Sequence, residues 1–101
     1  PKGNRLIVGE LYLDINERSA SLAGEPLILS QMEFALLRYL VENRGKVLRK
    51  EVLMNDVWGD SFSDPSTLTV HIRRLRSKIE KDSAHPSHII TAWGVGYKYV
   101  E

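Results

Sequence analysis

Between Pro65 and Ile79 the sequence carries Arg73, Arg74, Arg76 and Lys78 and no acidic residue. Cations at that density on one helix can neutralise phosphates or reach guanine edges. The rest of the chain does not share this bias. Lys plus Arg is 14 and Asp plus Glu is 13, a net charge of +1. Residues 1–64 hold eight basic and ten acidic residues, whereas residues 65–101 hold six and three. A basic helix on an otherwise neutral domain is the footprint of a polyanion-binding face, set against the alternative of an ordinary solvated helix face.

Other chemistry has little support. His85 and His88 have an H-x-x-H spacing, but Pro86 lies between them and no cysteine is present to complete a metal shell. No metal and no cofactor is expected. Gly94-x-Gly96 lacks the third glycine and the following helix of a dinucleotide site, and reads as a turn between strands. Neither G-x-S-x-G nor a phosphate-binding P-loop occurs. Glu33, Glu42, Glu51 and Asp56 read as solvent-facing helix residues, so no enzyme is expected. The absence of cysteine excludes a disulfide scaffold. No apolar run is long enough to cross a membrane as a helix.

The elements that must position the basic face can be read from pattern. At 101 residues the chain suits one domain with its own core. Leu11, Leu13 and Ile15 alternate with Tyr12, Asp14 and Asn16, a strand of period two. Ser19 to Ala23 is a second strand, and Ala23-Gly24-Glu25-Pro26 a tight turn into Leu27-Ile28-Leu29. Ser30-Gln31-Met32-Glu33 has the form of a capping box. Phe34, Leu37, Leu40 and Val41 follow at helical spacing, and Gly45 is expected to end that helix. Lys46-Val47-Leu48 is an extended link. A second helix near Lys50 to Trp58 places Leu53 and Val57 on one face and closes at Gly59. Residues 60–64 form a loop. Asp64 and Pro65 then suit the cap and first position of a third helix, about 65–81. After a loop at 82–87, Ile89 to Ala92 and Tyr97 to Val100 form a hairpin about Trp93-Gly94-Val95-Gly96. The fold class is α+β: an N-terminal antiparallel meander, three helices and a C-terminal hairpin.

On the third helix Leu68, Ile72, Leu75 and Ile79 fall on one narrow core stripe. Ser66, Val70, Arg73, Arg74 and Ser77 lie opposite. Thr69 and Arg76 occupy one flank, and Thr67, His71 and Lys78 the other. A valine opposite the core is wasted on solvent unless that face meets something, such as a thymine methyl in a major groove.

The run Thr67-Leu68-Thr69-Val70-His71-Ile72-Arg73-Arg74-Leu75-Arg76, followed by Ile90-Thr91-Ala92-Trp93-Gly94-Val95-Gly96-Tyr97, resembles the winged-helix effector domain of OmpR/PhoB-type response regulators. Leu29-Ser30-x-x-Glu33-Phe34 and Val57-Trp58-Gly59 add to the resemblance, in family order, over nearly the whole chain. It implies sequence-specific binding of double-stranded DNA as the output domain of a two-component transcription regulator, in the bacterial cytoplasm. The third helix would enter the major groove and the wing, residues 89–100, would meet the adjacent minor groove or backbone. Carried over by position, Val70, Arg74 and Thr69 would contact bases. Thr67, His71, Arg73, Arg76, Thr91 and Tyr97 would contact the DNA backbone. Trp93, Gly94 and Gly96 form the wing. Trp58, Asp60, Ser61 and Phe62 would lie in a loop facing RNA polymerase. Implied partners are DNA with tandem half-sites, a second copy of the chain on that DNA, RNA polymerase, and a sensor kinase acting through a receiver domain. No receiver lies in these residues, and the start at Pro1 without Met suggests a piece of a longer protein. Ser66, Thr69 and Trp93 depart from the residues frequent in the family. They motivate a second reading, a winged-helix module that binds protein without specific DNA binding.

Overall fold

The computed structural model describes residues 4–59 and 64–101. Four short strands, β1 (Arg5–Val8), β2 (Leu11–Asp14), β3 (Ser19–Leu22) and β4 (Glu25–Leu27), form an antiparallel meander in chain order. Its inner face is set by the alternation of Leu11 and Leu13, both buried, with Tyr12 and Asp14, half-buried. Leu22 pairs with Glu25, so the β3–β4 turn contains only Ala23 and Gly24. Both have positive φ, the backbone a two-residue turn needs to match strand twist. The turn is therefore shorter than Ala23 to Pro26. Pro26 already lies in β4, an edge strand, where a missing N–H is tolerated.

Helix α1 (Gln31–Glu42) starts as its sequence demands. The Ser30 hydroxyl accepts from the Glu33 N–H, and the Glu33 carboxylate accepts from the Ser30 N–H. Phe34, Leu36, Leu37, Leu40 and Val41 are buried. The helix stops at Glu42, three residues before Gly45. Gly45 has φ +87 and donates its N–H to the Tyr99 carbonyl, so it serves the return of the chain rather than the helix cap.

A two-residue strand, β5 (Leu48–Arg49), leads into helix α2 (Lys50–Leu53). The helix continues over Met54–Trp58 in a wider π-type winding and closes at Gly59, φ +63. Leu53 and Met54 are buried, and Val57 packs partly against the core. The expected loop at Asp60, Ser61, Phe62 and Ser63 lies outside the described residues.

Helix α3 (Ser66–Ile79) is preceded by Asp64, whose carboxylate accepts from the Ser66 N–H, while Pro65 already has helical dihedrals. Leu68, Ile72, Leu75 and Ile79 are all buried, as the stripe predicts. β6 (Ile89–Ala92) and β7 (Gly96–Tyr99) form the hairpin, with Ala92 opposite Gly96. The turn is therefore Trp93-Gly94-Val95, with Gly94 at φ +78. Gly96 is not a turn residue but a strand residue facing Arg49. A Cβ there would lie 1.9 Å from the Leu48 carbonyl oxygen, so glycine is what lets β5 join β7. The hairpin becomes a three-stranded sheet, ordered β5-β7-β6.

Candidate nucleic-acid interface

Helix α3 exposes Ser66, Arg73, Arg74 and Ser77 on the side away from its buried stripe and Thr69 on one flank. Val70, Thr67 and His71 are half-buried. The His71 Nδ1 lies 2.8 Å from the Thr67 carbonyl, and its ring meets Trp58 edge-on at 5.0 Å. Trp58 thus braces the start of α3. Asp60, Ser61 and Phe62, expected beside it in one loop, lie outside the described residues. Among the described residues, the Arg73 guanidinium has no hydrogen bond or ion pair, and the Arg74 guanidinium has no hydrogen bond but lends its charge to Glu33. Guanidinium groups with unused hydrogen-bond donors beside exposed hydroxyls are suited to phosphate oxygens and purine edges.

Arg76 is employed differently. Its Nε and Nη2 donate to the Ile89 carbonyl at 3.0 and 2.8 Å, and Nη2 also donates to Thr91 Oγ1 at 2.8 Å. The guanidinium lies over the Tyr97 ring, 5.7 Å from its centre. Arg76 therefore ties α3 to β6 with a fork that lysine could not reproduce. Thr91, half-buried, spends an acceptor in that tie. Tyr97 is 7% exposed and sits in the core rather than near the hairpin tip. Trp93 is at the tip and 90% exposed.

Two carboxylates hold α3 in place. Glu33 is buried, not solvent-facing, and accepts from Lys78 Nζ at 2.6 Å. Lys78 also donates to the Ile28 carbonyl at 2.7 Å. Burial pushes the Glu33 carboxyl up, but Lys78, the Ser30 N–H and the Arg74 charge outweigh it and hold the group below its ordinary value. Glu80, just past the end of α3, is buried as well. Its carboxylate accepts from the N–H groups of Ser87, His88 and Ile89 and from the Ser87 hydroxyl. Burial again raises its pKa, and these backbone donors with the His88 charge more than reverse the shift. The signal was present in the chain: an acid at a helix C-terminus opposes the helix dipole and needs a compensating partner.

The two histidines of the H-x-x-H pair serve different neighbours. His85, exposed, pairs with Asp82, while His88 bonds the Val100 carbonyl and stacks on Tyr99. Burial, with the charges of Glu80 and Glu101, pushes the Tyr99 hydroxyl up to about 12. No group of acids and histidines able to hold a metal occurs among the described residues. Nor is any helix among them long and apolar enough to cross a membrane.

An exposed basic helix face locked to an adjacent hairpin, behind a four-stranded meander, is the arrangement that the sequence resemblance anticipated. Residues 24–99 match the family described as "Transcriptional regulatory protein, C terminal". The chain belongs to that family. It is 47% identical over 94 residues to the sensory transduction protein RegX3 of Mycolicibacterium smegmatis, covering 92% of this chain and 41% of that protein. The chain thus spans well under half the length of that relative. Among solved structures, the response regulator DrrB of Thermotoga maritima, an OmpR/PhoB homologue, superposes with a TM-score of 0.87 at 36% identity. That match covers 97% of this chain and 45% of DrrB. The DNA-binding domain of Klebsiella pneumoniae RstA, in complex with the RstA box, superposes with a TM-score of 0.85 at 28% identity, over 95% of this chain and 96% of that one. As a member of the regulatory-protein family, the chain has the winged-helix fold, with α3 in the place of the recognition helix and β6–β7 as the wing.

Proposed function

We propose that residues 1–101 form a single winged-helix domain that binds double-stranded DNA with sequence specificity, as the output module of a two-component transcription regulator. The observation that carries this reading is the free face of α3, where Thr69, Arg73 and Arg74 are exposed beside a wing that Arg76 fixes in place. Arg74, Val70 and Thr69 read base edges in the major groove. Arg73, with Thr67 and His71 at the groove margin, meets phosphates. Arg76 and Thr91 present the wing to the neighbouring backbone, and Tyr97 supports Arg76 from beneath. Trp93 meets the sugar or minor-groove surface with an apolar ring where a cation is frequent in the family.

The wider proposal follows family membership. Two copies sit head to tail on tandem half-sites, and the loop opening at Trp58 faces RNA polymerase. A receiver domain carries the input from a sensor kinase. The module works in the bacterial cytoplasm and is not an enzyme. Titration of duplex DNA at several salt concentrations tests the core of this reading. Binding that weakens with a log–log slope of about −0.9 per neutralised phosphate supports it. Absence of duplex affinity in both the isolated domain and a tethered pair favours a protein-binding winged helix instead.

A further inference from the structure

The turn at residues 82–87, between α3 and the wing, lines two adjoining clefts. One is bounded by Thr69, Arg73 and Arg76 of α3 on one side and by Ser83 and Ala84 of the turn on the other, with Tyr97 at its base. The second shares Arg76, Ser83 and Ala84 and runs on past Thr91 to Trp93 at the wing tip. Together they make a groove that starts at the free guanidinium of Arg73, passes Arg76 and ends at the wing.

Among the described residues, no carboxylate lines either cleft. The nearest acid in sequence, Asp82, lines neither cleft, and its carboxylate accepts from the Ala84 N–H at 3.0 Å and lies 3.0 Å from His85 Nδ1. Ser83 is exposed and makes no hydrogen bond among the described residues, so both its N–H and its hydroxyl are available. The turn is not a loose loop. Its far end is fixed by the buried Glu80 carboxylate through Ser87, His88 and Ile89, and its near end by the His85 N–H to the Asp82 carbonyl. A groove with two guanidinium groups on one wall and preset neutral donors on the other suits a row of phosphodiesters.

We infer that the 82–87 turn is a third DNA-contacting element, in which Ser83 binds a backbone phosphate across the groove from Arg73. This rests on the DNA-binding reading above. Ser83 is then a binding residue, and Glu80 a positioning residue that acts through the turn.

A lysine at position 83 tests the assignment by gain of contact. Salt-dependent titrations of a duplex recovered from a random pool would compare wild type, Ser83→Lys and Ser19→Lys, which adds the same charge on exposed β3. Ser83→Lys should steepen the log–log salt slope by about 0.9, one additional phosphate, and Ser19→Lys should not. A scan of the same duplex with single neutral methylphosphonates needs no variant to fold. One substituted position should weaken wild-type binding and also remove the extra slope of Ser83→Lys. Equal slopes for the two lysine variants, with wild type still binding, would overturn the inference and leave the DNA-binding reading intact. No duplex bound by wild type would overturn both.

Discussion

Arg73, Arg74 and Arg76 are neighbours in sequence with separate tasks. Arg74 is exposed on the face opposite the core stripe, where its fork can meet a guanine edge. Arg74→Ala should relax specificity at one base position and cost about 1–3 kcal/mol there. Competition with single-position operator variants checks it, and a uniform loss on every duplex would make Arg74 a phosphate contact. Arg73→Ala should instead weaken all duplexes alike and reduce the salt slope by about one. Arg76 differs in kind, because its guanidinium is bonded to Ile89 and Thr91. Arg76→Ala should lower thermal stability as well as affinity, by about 1.5–3 kcal/mol for a half-buried charged donor. Arg76→Lys keeps the charge and loses the fork, so it should share most of that loss. Melting curves unchanged in both variants would contradict the tie.

Helix α3 is aimed by what holds it. Its stripe of Leu68, Ile72, Leu75 and Ile79 fixes its rotation. Lys78 pins it to α1, Arg76 to the wing, and Glu80 to the turn beyond. Leu75→Ala should cost about 2–5 kcal/mol in folding stability, since Leu75 is fully buried. Glu33 and Glu80 both titrate below the ordinary 4.5 in the folded state. Their contribution to stability is therefore complete above about pH 4.5 and is lost as pH falls through their lowered folded values. Glu80→Gln should be less stable at neutral pH and lose less stability on acidification, as denaturant midpoints at several pH values would show. Equal acid sensitivity in variant and wild type would contradict the assignment. At this scale the stripe and the capping box were legible because they are local patterns, a spacing and a four-residue motif. The partners of Glu80 and of the Arg76 fork were not, because they lie seven to fifteen positions away across a turn whose geometry no period announces. Gly96 was misread for a related reason. Its role depends on the approach of β5, nearly fifty positions earlier in the chain.

At the scale of the molecule, α3, the 82–87 turn and the wing together form the surface assigned to DNA, with the α3 arginines as its cations. The charge asymmetry between the two parts of the sequence pointed to that surface, and the family motifs gave it orientation. What the charges could not convey is that one cation, Arg76, is structural, and that another, Lys78, is spent on the buried Glu33. Among the described residues, Arg73 and Arg74 are the α3 cations whose side chains make no hydrogen bond, a small set for specific affinity in a single domain. One copy should therefore bind weakly, and two on repeated half-sites strongly. The most direct test is selection of duplexes from a random DNA pool at moderate salt, with the isolated domain and with a tethered pair. An enriched motif is expected, sharpened to a direct repeat for the pair, with a flattened preference at one base of each half-site for Arg74→Ala. No enrichment by either form would contradict it.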